Sequence, residues 1–159
     1  MTDLQGLLRT LASGQVECIL IGGAAGIAHG SARLTLDVDI VYRRTPENIA
    51  RLVACMAPYH PYLRGAPPGL PFRWDVETIQ RGLNFTLDTA LGPLDVLGEV
   101  TGGGNYEALL PDTEILEAFG VECLGLSLMT LIKVKRAAGR PKDFEAIAEL
   151  EIIAEERHR

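Results

Sequence analysis

The sequence predicts a single α/β domain of the α+β kind, a mixed β-sheet flanked by helices with two further helices at the C-terminus. Three observations carry this. From Cys18 to Met56 a strand, a helix, a strand and a helix succeed one another, and such alternation places helices on the faces of a sheet. From Leu83 to Leu124 short apolar runs are broken by Gly and Pro, as in hairpins. From Ser127 onward the apolar period is helical. The 159 residues suit one domain, with a core over about 15–125 and C-terminal helices over about 127–156.

Asp3 to Ser13 carries Leu4, Leu7, Leu8 and Leu11 at helical spacing and stops at Gly14. Cys18 to Ile21 reads as a buried strand broken by the turn Gly22-Gly23, and Ala24 to His29 as a helix of small residues. A helix that opens on a glycine turn offers free N–H groups and the positive end of its dipole to a phosphate. Leu36 to Tyr42 alternates as a strand, which puts Asp37 and Asp39 on one face, about 7 Å apart along the backbone. Carboxylates this close repel unless one is protonated or a cation lies between them, so the pair suits a hard ion such as Mg²⁺.

Thr45-Pro46-Glu47 opens a helix whose apolar face is Ile49, Leu52, Val53 and Met56. From Ala57 to Trp74 the pattern fails: five of the nine prolines lie here, and the segment reads as a long irregular connection. Its Tyr59, Tyr62, Phe72 and Trp74 suit either base stacking or the pinning of a surface loop, and Arg64 and Arg73 suit phosphate. Asp75 caps a short helix to Arg81. Leu83 to Thr89 and Leu91 to Val96 form two strands around a tight turn. Asp95 stands alone in the apolar run Leu94 to Leu97, where a carboxylate is costly without a partner. Asp88, between Thr86 and Thr89, reads as a turn residue. Gly102-Gly103-Gly104 lacks a following Gly-Lys-Ser/Thr and reads as a turn. Ile115 to Leu124 supplies a strand or hairpin, Ser127 caps a helix ending near Gly139, and the last helix starts at Pro141.

Two glycines, Gly22 and Gly23, a thirteen-residue gap and then Asp37-x-Asp39 among apolar residues resemble the DNA polymerase beta-like nucleotidyltransferase superfamily. His29, Arg33 and Thr35 in AHGSARLT, and later KRAAGRPKD, are similar to its small bacterial members, including those related to abortive-infection (AbiEii-type) toxins. The toxins carry an Asp at the position of Ala146, where this chain has Glu145 beside it. The resemblance implies a minimal nucleotidyltransferase fold and transfer of a nucleoside monophosphate from an NTP, with Mg²⁺ or Mn²⁺, to an acceptor that is a protein, tRNA or small molecule. By resemblance Asp37, Asp39 and Asp95 are catalytic and hold two metals, Asp95 also receiving the acceptor's proton. Nucleotide binding falls to Gly22, Gly23, Arg33, Lys135 and Lys142, with Arg140 and Asp143 as neighbours. The resemblance also raises a place in a toxin–antitoxin module with an antitoxin partner.

A net charge of −6 excludes generic DNA or RNA binding, which needs clustered positive charge. Lys133, Lys135, Arg136, Arg140 and Lys142 nevertheless make one local basic patch, fit for a triphosphate. No run is long enough to span a membrane, and the expected location is the cytoplasm. Cys18, Cys55 and Cys123 are expected to be buried free thiols, and three scattered histidines give no zinc spacing. A dinucleotide-binding fold is the rival reading of Gly22, Gly23 and Gly26 after a strand. An inactive binding domain of the same fold is a second.

Overall fold

The structure is a computed structural model describing residues 2–158. Helix α1 (Leu4–Ser13) is capped by the Asp3 side chain and buries Leu7, Leu8 and Leu11. Strand β1 (Cys18–Ile21) runs straight into α2 (Gly22–Ala28), so the two glycines form the first turn of the helix instead of preceding it. Gly22 has φ +68°, a value that spares glycine the cost other residues carry. Strand β2 (Val38–Tyr42) is shorter than its alternation suggests, and Asp37 lies just ahead of it.

Helix α3 (Pro46–Met56) starts at the Thr45 cap, as its sequence predicts. The connection to α4 (Val76–Arg81) is not wholly irregular, because it holds a turn of 3-10 helix and a two-residue strand, β3 (Tyr62–Leu63). Its aromatics pin it down. Trp74 Nε1 donates to Val53 O at 3.0 Å, and Tyr62 and Phe72 meet edge to face. Strands β4 (Phe85–Thr89) and β5 (Gly92–Leu97) form the expected hairpin, with Asp88 inside β4 and not in its turn. A small hairpin, β6 (Glu99–Val100) and β7 (Gly104–Asn105), contains the triple glycine, and α5 (Tyr106–Leu109) follows. The hairpin β8 (Thr113–Ala118) and β9 (Val121–Leu126) leads into α6 (Leu128–Ala138) and α7 (Pro141–Arg157).

Seven strands form one mixed sheet in the order β3-β4-β5-β2-β1-β9-β8. β1 and β2 are antiparallel, whereas β2 pairs with β5, and β1 with β9, in parallel. The antiparallel β1–β2 pair removes the dinucleotide-binding reading, whose strand–helix–strand unit is parallel. α1 packs with α3, and α2 with α6. The edges are β3 and β8, and β8 turns Glu114, Ile115 and Glu117 to solvent. Among the described residues no helix is long and apolar enough to cross a membrane.

Candidate functional site

Asp37, Asp39 and Asp95 converge because two strands register them. Asp39 sits opposite Asp95 in the β2–β5 ladder, and Asp37 is two residues before Asp39, on the same side. One carboxylate oxygen from each lies within 4.8 Å of the others. Gly22 makes room for this cluster, since a Cβ there would overlap Asp39 Oδ2. A Cβ on Gly23 would press on Thr35 Oγ1, which donates to the Asp37 main-chain oxygen at 3.2 Å. The glycine pair thus has a packing reason besides any contact with phosphate.

Asp39 Oδ1 is buried and has no hydrogen-bond partner among the described residues. Burial first, and then the neighbouring Asp37 and Asp95, push the Asp39 carboxyl up to about 8. A buried, orphaned oxygen among converging carboxylates fits a hard cation. Asp95 is held differently: Arg64 Nη2 donates to its Oδ1 at 2.7 Å and to Leu87 O at 2.8 Å, while Arg64 Nε lies 3.4 Å from Asp88. Asp95 therefore has one oxygen fixed by protein and one left for a ligand.

The acids form one wall of a cleft of about 460 Å³ that α6, α7 and the 31–34 segment complete. Gly22, Gly23, Arg33, Lys135 and Lys142 all line it. Lys135 is partly buried, and that burial lowers its pKa against the pull of Asp143 and Asp39. Arg33 lies 3.4 Å from Glu145, and Arg140 Nε is paired with the buried Asp143 at 2.8 Å. The basic patch of the sequence is divided: Lys135, Arg140 and Lys142 face the cleft, whereas Arg136 pairs with Glu151 on another side, beside Met129 and Ile132. Ser31 and Glu149 are cleft residues that sequence reasoning missed. Glu149 on α7 accepts from Ser31 Oγ and from Ala32 N, which fastens the segment carrying Arg33. Nothing in the sequence links residues so far apart.

His29 is buried with Nε2 2.8 Å from Leu126 O, so it ties the end of α2 to the end of β9. The three cysteines are free and half-buried, and burial pushes Cys18 up to about 12 and Cys55 and Cys123 to about 11.

No family model and no curated protein matches the sequence. Among solved structures, the fold is similar to a Thermotoga maritima protein assigned provisionally as a nucleotidyltransferase, with a TM-score of 0.57 and 14% identity over 92% of this chain and 88% of that one. The chain therefore has a nucleotidyltransferase-like mixed α/β fold, with an acidic cluster suited to a metal ion.

Proposed function

We propose that the protein is a metal-dependent nucleotidyltransferase, a single cytoplasmic domain that moves a nucleoside monophosphate from an NTP to an acceptor hydroxyl. One observation carries the reading: three carboxylates converge around a buried oxygen that no group of the described residues satisfies, in a nucleotidyltransferase-like fold. Asp37, Asp39 and Asp95 are the residues that would hold Mg²⁺ or Mn²⁺. When bound, the metal supplies positive charge to the α-phosphate and to the leaving oxygen.

The chain's own groups do the remaining work. Lys135, in the cleft beside Asp39, is placed for a phosphate oxygen, and Arg33 and Lys142 extend positive charge along the same cleft for the leaving pyrophosphate. The first N–H groups of α2, at Gly22 and Gly23, have no partner inside the helix and add donors. Arg64 holds Asp95 Oδ1, which fixes the direction of the carboxyl that we assign to the acceptor's proton.

The test is label transfer from each α-labelled NTP with Mg²⁺ or Mn²⁺, alone and with cell lysate. Transfer is expected for the wild type, and Asp39→Asn should lower it at least about a hundredfold while the chain stays folded. Equal transfer by the variant would overturn the assignment. Growth arrest on expression, relieved by a co-expressed antitoxin, tests the toxin role that the resemblance raises.

A further inference from the structure

The acids separate two cavities. Besides the basic cleft, a second cavity of about 330 Å³ opens between α6, the end of β5 and the β6–β7 hairpin. It shares Gly22, Asp39, Asp95, Lys135 and Arg140 with the cleft, whereas Asp37, Arg33 and Lys142 line the cleft alone. Its walls are Ile21, Leu97, Val100, Leu131, Val134 and Ala138. Three polar groups stand at its rim: Thr101, Glu99 and Asn84. Asn84 Oδ1 accepts from Gly98 N at 2.8 Å, which orients the amide and leaves its NH₂ group to donate elsewhere.

We propose that this second cavity is the acceptor subsite, and that it takes a small hydroxyl compound with an apolar or aromatic body. The inference rests on the nucleotidyltransferase reading. Displacement at the α-phosphorus is in line, so the attacking oxygen enters opposite the leaving pyrophosphate. The cations that would receive pyrophosphate, Arg33 and Lys142, lie only on the cleft side. The acceptor then arrives from the other side, past Asp39 and Asp95, into the second cavity, where Leu97, Val100, Leu131, Val134 and Ala138 give it an apolar wall. Its oxygen forms a bond to the α-phosphorus, the bond to the β-bridging oxygen breaks, pyrophosphate leaves, and the hydroxyl proton passes to Asp95.

The lining selects the body behind that hydroxyl. Apolar walls desolvate cheaply around an alkyl or aromatic surface, and a few rim groups fix its orientation. The 3′ end of an RNA carries phosphates close to the reacting ribose, and the cavity has little for them. Its cations are Lys135, placed for the NTP, and Arg140, paired with Asp143, while Glu99 adds a negative rim.

The experiment uses purified full-length chain, α-labelled NTP and Mn²⁺, with either the small-molecule ultrafiltrate or the retained RNA and protein of a cell extract as acceptor source. N-acetyltyrosinamide and uridine serve as defined probes. Thr101→Trp and Ala138→Trp, both at exposed residues that line the cavity, are compared after melting curves establish that they fold. Label is expected in the small-molecule fraction, and each variant should lower kcat/KM for the labelled small acceptor about tenfold, mainly through KM. NTP binding with Mn²⁺, read by calorimetry, should stay within about twofold of wild type. Label only in RNA or protein overturns the subsite, as does NTP binding without any labelled small acceptor, or unchanged acceptor KM in both variants. Loss of metal-dependent NTP binding in the wild type sinks the underlying enzyme reading instead.

Discussion

In the metal-free protein the carboxyl of Asp39 keeps its proton up to about 8, against an ordinary 3.8, because burial and then Asp37 and Asp95 oppose its charge. The folded chain thus binds this proton more tightly than the unfolded chain does. Stability falls as pH rises wherever the native state holds the extra proton, so metal-free protein should lose stability between about 4 and about 8. Mn²⁺ should offset that loss. Asp39→Asn cannot ionise, and its melting temperature should vary less across the interval and respond less to Mn²⁺. Thermal melting of both proteins across this range, with and without metal, is the check, and a wild type that gains stability with pH in the absence of metal would contradict it. Gly22 belongs to the same argument, because its φ of +68° and the overlap of any Cβ with Asp39 make the smallest side chain a disturbance of the acid cluster.

Strands β2 and β5 show what the sequence discloses about the site and what it conceals. Period-two spacing placed Asp37 and Asp39 on one face, and an isolated acid in an apolar run marked Asp95; the parallel ladder then sets Asp39 opposite Asp95. Arg64 was visible as a cation in a proline-rich segment, but its partner was not, because 31 residues separate it from Asp95. The two-residue β3 is hidden in the sequence for a related reason: Tyr62 and Leu63 are too few to show alternation, and only their pairing with Leu87 and Asp88 makes them a strand. Glycine reads as a breaker, so the sequence sets the start of α2 at Ala24, whereas Gly22 and Gly23 open the helix. The Arg64 tie yields its own expectation. Arg64→Ala leaves Asp95 Oδ1 without its donor, at a cost of about 1–3 kcal/mol, and frees the carboxyl to rotate. Apparent Mn²⁺ affinity should weaken, with partial recovery in Arg64→Lys. Metal titration by calorimetry together with urea unfolding separates the two effects, and unchanged affinity in Arg64→Ala would mean that Arg64 has no hand in aiming Asp95.

At the scale of the whole molecule, the sheet explains why composition was a fair guide to fold class and a poor one to topology. The apolar runs at Cys18–Ile21, Val38–Tyr42 and Val121–Leu126 are buried enough to read as strands, yet nothing in them specifies that β1 runs antiparallel to β2 and parallel to β9. That choice depends on the crossovers, through α2 in one case and most of the chain in the other. The sheet stays open, and its two ends differ. β3 is two residues long and its segment is tied down by Tyr62, Phe72 and Trp74, while β8 presents six residues with a free backbone side. An open strand of that length is a template on which another chain can add. Ile115 is 67% exposed on it, so apolar surface would favour such growth. Glu114 and Glu117 stand beside Ile115, and two copies meeting edge to edge would bring these like charges together. The acids of β8 would thus oppose such pairing. Glu114→Val with Glu117→Val should give concentration-dependent association in sedimentation velocity, with higher-order species favoured by salt-independent apolar contact, while the acid cluster on the far strands keeps its metal response.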